Sequence, residues 1–374
     1  MKDAIVISGT GLFTPPEGIT NQELVDSFNQ YVDLFNTENR AQIDLGHVEA
    51  LNYSSSEFIE KASGIKHRFV MVKEGILDPE VMMPLIPERA SDSLSLQAEM
   101  GLHAANQALD NAGLKADDID LVIVACAYTQ RAYPAMAIEI QQALGTRGYG
   151  FDMQVACSSA TFALVTAANA IRSGSAGRVL VINPEICSAQ VNYRDRDSHF
   201  IFGDVATALV LEPAATCRAQ QAFEILSSRC FTHYSNNIRS NFGFLNRCDP
   251  ATSGEADKLF HQQGRKVFKE LLPMIYQHLD TQLEEAGITP EQFKRLWLHQ
   301  ANINMNQFVV KKLLGEIPEP LKAPVVLDQY ANTASAGSVI AFHKYHQDFK
   351  QGELGLLSSF GAGYSIGSLI LRAC

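Results

Sequence analysis

Three residues far apart in the chain have the types needed to handle a thioester: Cys157, His299 and Asn332. Each falls where a buried apolar strand is expected to stop and a small-residue turn to begin. Cys157 closes the segment from Phe151 and is followed by Ser158, Ser159 and Ala160. His299 follows Trp297 and Leu298 and precedes Gln300, Ala301 and Asn302. Asn332 opens the run Thr333, Ala334, Ser335, Ala336, Gly337. A cysteine at the start of an Ala-rich helix meets unpaired amides and the positive end of the helix dipole, which favours a thiolate. Taken singly, each residue has a plainer reading. Most free cysteines are small buried hydrophobes, a lone histidine is more often structural, and an asparagine before small residues is a turn former. Together, at three such corners, they read as one acyl-transfer site. The similar small-residue runs after Cys157 and Asn332 hint at a duplicated corner.

The elements that must position these residues follow from the apolar pattern. Ile5–Ser8, Leu121–Ala125, Val179–Ile182 and Thr207–Leu211 read as buried strands, the first continuing from Met1. Leu94–Ala112 has helical spacing and stops at Gly113; Ala135–Leu144 stops at Gly145. Ser158–Ser173 is the Ala-rich helix after Cys157. The rhythm restarts after Pro213. Phe223–Cys230 and Leu296–Leu298 read as strands, and an apolar stretch Pro324–Leu327 precedes Asn332. Gly264–Ala286 reads as a long helix with a break near Pro273. Gly355–Phe360 and Gly367–Leu371 read as a closing hairpin. The pattern predicts an α/β protein of two duplicated halves, residues 1–213 with the cysteine and 214–374 with the histidine and asparagine. Two segments interrupt the rhythm, 21–52 and 74–92. The first is polar and mostly helical with Phe28, Tyr31, Leu34 and Phe35 on one face. The second is turn-rich yet holds Ile76, Leu77, Val81, Met82, Met83, Leu85 and Ile86.

The bulk numbers narrow the class. Of 374 residues, 46% are hydrophobic and 19% charged, which suits a large ordered core. Net charge is −11, with no basic run of nucleic-acid type, so nucleic acid is excluded as a partner. Seven cysteines occur without a Cys-x-x-Cys pair. With no signal peptide and no apolar run long enough to span a membrane, a reducing cytoplasm is expected. Gly9-Thr10-Gly11 after a strand lacks the third glycine of a dinucleotide fingerprint, because Thr14 stands there. His343 and His346 lack a third ligand nearby. Neither a metal nor a cofactor is expected.

The motifs in register resemble those of the β-ketoacyl-acyl-carrier-protein synthase III family, thiolase-fold condensing enzymes. Ala156-Cys157-Ser158-Ser159, His299-Gln300-Ala301-Asn302 and Asn332-Thr333-Ala334-Ser335-Ala336 match its three active-site motifs. Ser63–Arg68, Phe202–Glu212 and Ser359–Gly367 match its early, middle and C-terminal segments. The resemblance implies a five-layered αβαβα core, a homodimer, and decarboxylative condensation of an acyl-CoA with malonyl-acyl-carrier-protein. It implies Cys157 as nucleophile and His299 and Asn332 as hydrogen-bond donors to the enolate. The amide of Ala362, where the family has glycine, would complete the oxyanion site, and Phe360 would crowd the malonyl carboxylate. Arg265, Lys269, Lys311 and Lys312 would help dock the acidic carrier, while Asn304 replaces a family arginine.

Departures fall on the acyl donor. Phe58 replaces the family's adenine-stacking Trp, and Ala62 its partner Arg. Tyr133 matches an aromatic that closes the acyl pocket from the neighbouring subunit. With the two extra segments, the pattern resembles the medium-chain branch called β-ketodecanoyl synthase, with octanoyl as an expected primer. A thiolase would need a second cysteine near Phe360–Gly367, where none occurs, and the Gly-Phe-Gly-Pro-Gly of plant-type polyketide synthases is absent. Head-to-head condensation and acyl transfer to a small molecule remain open on the same trio, whereas the intact trio argues against the further alternative of a non-catalytic acyl-binding role.

Overall fold

The computed structural model describes residues 4–241, 245 and 248–374. The expected start of the first strand at Met1–Asp3 lies outside the described residues. Chain order runs β1 (Ile5–Phe13), β2 (Glu17–Thr20), α1 (Asn21–Glu38), α2 (Arg40–Asp44), α3 (Ser56–Ser63), β3 (His67–Val70), α4 (Leu96–Ala112), β4 (Leu121–Ala125), α5 (Met136–Leu144), β5 (Tyr149–Met153), α6 (Ser159–Ser173), β6 (Val179–Ile186) and β7 (Asp204–Pro213). It continues with β8 (Phe223–Ser235), β9 (Ile238–Arg239), β10 (His261–Gln262), α7 (Gly264–Ala286), β11 (Phe293–Leu298), α8 (Ile303–Leu314), α9 (Leu327–Tyr330), α10 (Gly337–Lys344), β12 (Leu354–Gly361) and β13 (Gly363–Ala373).

Nine strands join in the order β11-β12-β13-β8-β1-β7-β6-β4-β5. Without the edge strand β5, the run β4-β6-β7-β1 repeats the run β11-β12-β13-β8. Both have one parallel pair followed by two antiparallel ones. The two runs meet where β1 pairs antiparallel with β8 at Val6 and Ile7. This repeat is the physical form of the duplication.

Alternation along the strands builds five layers. Inward residues of both runs, such as Ile123, Val181, Leu209, Leu357 and Leu369, bury α6 and α10 between them. Outward residues Val122, Ile182 and Val210 pack under α4 and α5. Leu296, Leu356 and Ile370 pack under α7 and α8. The result is an αβαβα sandwich of thiolase-like type, with the helices that follow Cys157 and Asn332 at its centre.

Gly9 and Gly11 serve packing, not a nucleotide. A Cβ at either would lie 2.1 Å from the Ala108 carbonyl or 1.9 Å from that of Ala104 on α4. Helix α7 runs unbroken through Pro273, contrary to expectation. Buried Leu271, Leu272, Ile275, Leu279 and Leu283 hold it against the sheet, which outweighs one lost backbone hydrogen bond. The interrupting segments both join the apolar cluster beside the cysteine corner. Leu24, Val25, Phe28 and Val32 come from α1, and Ile76 and Met82 from the turn-rich segment.

Candidate active site

Cys157 does not open α6 directly. It is the middle residue of a 3-10 turn, Ala156–Ser158, that feeds the helix. Ala156 has φ +45°, a conformation a side chain adopts only when its surroundings impose it. The surroundings are specific here. The Ser159 hydroxyl accepts from the Val155 N–H at 2.8 Å and donates to the Cys126 carbonyl at 3.0 Å. The Ser158 hydroxyl donates to the Ser365 carbonyl on β13 at 3.1 Å. Gly361 ends β12 directly against the sulfur: a Cβ there would lie 2.6 Å from Cys157 Cβ and 2.9 Å from Sγ. That missing side chain is the space in which a substrate carbonyl can meet the thiol.

The expectation of a resting thiolate is overturned. Burial pushes the Cys157 thiol up to about 12, and the carboxylate of Glu185 adds to the rise. The backbone amides of Ala362 and Cys157 hydrogen-bond the sulfur and oppose the rise, but burial wins. The free protein therefore holds a thiol.

His299 follows β11 as expected and is buried at 2% exposure. Burial depresses its pKa to about 3, so the ring is neutral. Its Nδ1 has no partner among the described residues. Phe360 stands edge-on to it with ring centroids 5.3 Å apart, fixing the ring plane. Next to it, Gln300 accepts from the Val326 and Leu327 N–H groups at 2.9 and 3.2 Å. This ties the histidine loop to the segment that carries Asn332.

Asn332 is reached differently from the sequence expectation. No strand precedes it; the one-turn helix α9 does, and Asn332 forms an isolated bridge with Phe202. Its Oδ1 accepts from the Ala334 N–H at 2.9 Å. That bond fixes the amide orientation and leaves the NH2 half as a donor for the cavity. A second 3-10 turn, Ala334–Ala336, then feeds α10, and Ala334 has φ +46°. The hint of a duplicated corner is thus met in backbone geometry: Ser335 occupies the middle of its turn as Cys157 does of its own.

Cys157, His299 and Asn332 line one inner cavity of about 60 Å³, with Phe202, Phe260, Phe360 and Gly361 in its wall. An outer cleft of about 390 Å³ shares Gln262, Val267, Ala301, Met305 and Asn332 with it. The cleft opens to the surface past Phe58, Arg265 and Phe268. The shared residues place this cleft directly outside the cavity that holds the thiol. A wider cleft of about 570 Å³ beside His343 and His346 touches none of the trio.

Comparison with known proteins bears on this arrangement. The family described as 3-oxoacyl-[acyl-carrier-protein (ACP)] synthase III matches residues 151–233, and its C-terminal part matches residues 283–373. The chain is 56% identical over 348 residues to a β-ketodecanoyl-[acyl-carrier-protein] synthase of Pseudomonas aeruginosa, covering 93% of this chain and 99% of that one. It is 33% identical over 332 residues to a β-ketoacyl-[acyl-carrier-protein] synthase III of Agrobacterium fabrum, covering 87% and 93%. The chain belongs to the β-ketoacyl-[acyl-carrier-protein] synthase III family. It is a condensing enzyme of acyltransferase type, in fatty acid biosynthesis. The crystal structure of 3-oxoacyl-[acyl-carrier-protein] synthase III from Aquifex aeolicus superposes with a TM-score of 0.75 at 28% identity, covering 98% of this chain and 99% of that one.

The remaining residues singled out from this synthase III sequence divide into four groups. Ala362 and Phe360 stand at the trio, the first through its amide on Cys157 and the second as cavity wall. Phe58 and Arg265 line the outer cleft. Lys269, Lys311 and Lys312 do not reach it; they are exposed on α7 and α8. Tyr133 is 84% exposed and touches neither cavity.

Three participants were missed in the sequence. Arg196 lays its guanidinium 3.8 Å from the Phe58 ring centroid, so a cation does face that ring although Ala62 supplies none. Its signal, an arginine in a polar loop, is too common to single out. Gln300 is visible in the sequence only as the residue after His299, with nothing to mark its bonds to Val326 and Leu327. Glu185 carried a legible signal, being an acid inside the apolar strand Val179–Ile186.

Proposed function

We propose that the chain condenses an acyl-CoA with malonyl-acyl-carrier-protein in two stages, with Cys157, His299 and Asn332 as its catalytic residues. The observation that carries this reading is the pairing of donors over the thiol. A neutral imidazole and a carboxamide held NH2-inward line the same small cavity as Cys157. Two neutral donors suit an enolate oxygen better than they suit proton abstraction.

In the first stage the Cys157 sulfur bonds to the acyl carbon, the donor C–S bond breaks, and the thiol proton leaves with the departing thiol. The Cys157 and Ala362 amides hold the tetrahedral oxyanion. In the second, the malonyl C–C bond to the carboxylate breaks and carbon dioxide leaves. The electron pair moves to the thioester, whose oxygen His299 and Asn332 hold. The carbanion then bonds to the acyl carbon, the Cys157 C–S bond breaks, the released sulfur takes a proton from solvent to restore the thiol, and a 3-oxoacyl product departs. Phe360 walls this space on the malonyl side.

Phe58 and Arg196 support coenzyme A as the donor's handle, since a planar base can stack on the ring while the guanidinium covers its other side. Arg196→Ala is expected to raise KM for acyl-CoA by up to about 30-fold, equivalent to ~2 kcal/mol of cation–π contact, with kcat unchanged. An unchanged KM in steady-state kinetics would remove Arg196 from the donor site.

Carrier docking fits Arg265, Lys269, Lys311 and Lys312, which are exposed and form no ion pair among the described residues. Phe268 and Phe308 lie between them with centroids 6.0 Å apart. A homodimer is supported by the outer edge of β5, unpaired among the described residues, and by exposed Tyr133, Ile138 and Tyr149 near it. The repeated strand order supports a division into halves at residue 213. No helix among the described residues is long and apolar enough to cross a membrane, and the seven cysteines are unpaired, which together fit a reducing cytoplasm.

For chain length, α1 and the 74–92 segment pack into the cluster that borders Cys157 and Phe58, which supports a remodelled pocket. Intact mass after exposure to acyl-CoAs of graded length is expected to show a single adduct with a medium-chain optimum near octanoyl. Malonyl-acyl-carrier-protein should then discharge it. Loading by acetyl alone would exclude the medium-chain assignment, and an adduct that malonyl carrier never discharges would exclude condensation.

A further inference from the structure

The two turns that feed the central helices match in geometry but differ in what faces them. The Cys157 turn is faced by Gly361 at the end of β12, whose missing side chain keeps the sulfur open. The Ser335 turn is faced by Glu185 near the end of β6, and β6 holds the place in its strand order that β12 holds in its own. Glu185 closes that second corner. Its Oε1 accepts from the Ser335 hydroxyl at 2.5 Å and from the Ser335 N–H at 3.2 Å. The Ala127 N–H donates to both carboxylate oxygens at 3.0 and 3.1 Å, and the Cys187 thiol approaches Oε2 at 3.8 Å. The carboxylate is fully buried, and each of these neighbours is a donor.

We propose that Glu185 is a positioning residue that locks the Asn332 turn to the first half of the fold, so that the decarboxylating stage depends on it and the acyl-loading stage does not. The chain of contacts is short. Glu185 holds Ser335; Ser335 lies beside Ala334, whose amide orients the Asn332 carboxamide; and Ala334 keeps its φ of +46° only while the turn is held. An ionised carboxylate, which only accepts, fits this ring of donors. A glutamine or a protonated acid would turn a donor toward them.

The same charge acts on Cys157 in the opposite sense, since it raises the thiol. Burial lifts the Glu185 carboxyl itself to about 7. The titratable groups that sense it are Cys126, Tyr128, Cys157 and Cys187, all of which its charge holds in their protonated forms.

Glu185→Gln separates the two stages. The expected result is Cys157 alkylation and acyl loading at or above the wild-type rate, with kcat for condensation down about 10- to 100-fold and KM for the malonyl thioester little changed. The wild-type condensation rate should fall as pH drops through about 7, and that limb should be missing in the variant. Ser335→Ala, which keeps the charge, should lower condensation less and leave loading alone. Equal losses in both stages, or no loss in condensation, would overturn the assignment. It rests on the two-stage reading above, and the two fail differently. If wild-type protein itself does not decarboxylate a malonyl thioester, the reading fails. If wild type does and Glu185→Gln matches it at every pH, only the role of Glu185 fails.

Discussion

Cys157→Ala is expected to abolish the acyl adduct in intact mass spectra and to lower condensation by at least about 10⁴-fold, the scale seen when a covalent nucleophile is removed. The fold should survive, because Cys157 sits at a cavity wall and its side chain supplies only the sulfur contacts of the Ala362 and Cys157 amides. Its neighbours Ser158 and Ser159 keep the hydrogen bonds that shape the turn. The second stage should separate from the first. With the thiol gone, His299 and Asn332 still face the cavity, so malonyl thioester should still lose carbon dioxide without forming a 3-oxo product. A variant that retained both adduct and condensation would move the nucleophile elsewhere and end the two-stage reading. Loading in wild type should rise steeply with pH, because the thiol pushed up to about 12 loses its proton more readily as pH climbs.

The positions of the three corners could be read from the chain because each is announced by a change of residue type. Apolar strand residues give way to small ones at Cys157, and to a polar motif at His299. That local signal also exposed the duplicated turn, which the strand order repeats. What escaped was set by contacts between distant segments. The thiol was expected to be ionised on the strength of a helix end, yet burial decides the matter, and burial depends on strands more than a hundred residues away. The pairing of Arg196 with Phe58 likewise joins a loop to a helix across the fold. Pro273 misled in the other direction, since a local helix breaker was overruled by the apolar face it interrupts. At Asn332 the approach is helical because α9 packs Leu327 and Tyr330 into the core, while a single bridge to Phe202 supplies the strand-like anchor.

His299→Ala and Asn332→Ala should each lower decarboxylative condensation by about 10²- to 10³-fold, or ~3 kcal/mol for one donor to the enolate, while acyl loading of Cys157 stays close to wild type. The two donors serve one oxygen, so the double variant should lose less than the product of the single losses. Asn332→Asp is the sharper probe. Its size is unchanged, but a carboxylate would present an acceptor where the NH2 now points and would repel the growing negative charge. It should therefore fall below Asn332→Ala in malonyl decarboxylation. The pH profile distinguishes a donor from a base. His299 is already neutral at pH 5, because burial holds its pKa near about 3. A histidine acting as a base with the ordinary value of roughly 6.5 would give a limb there; His299 gives none, and Glu185→Gln should make the malonyl decarboxylation profile of preloaded protein flat from pH 5 to 8. The sign for stability follows the same shift. A depressed folded value means the stability is present above the unfolded value and lost as pH falls toward the folded one, so acid unfolding, not loss of activity near neutrality, is where His299 titrates. Measured decarboxylation that fell tenfold through pH 6.5 in Glu185→Gln would show a protonating His299 and replace the paired-donor reading with general base chemistry.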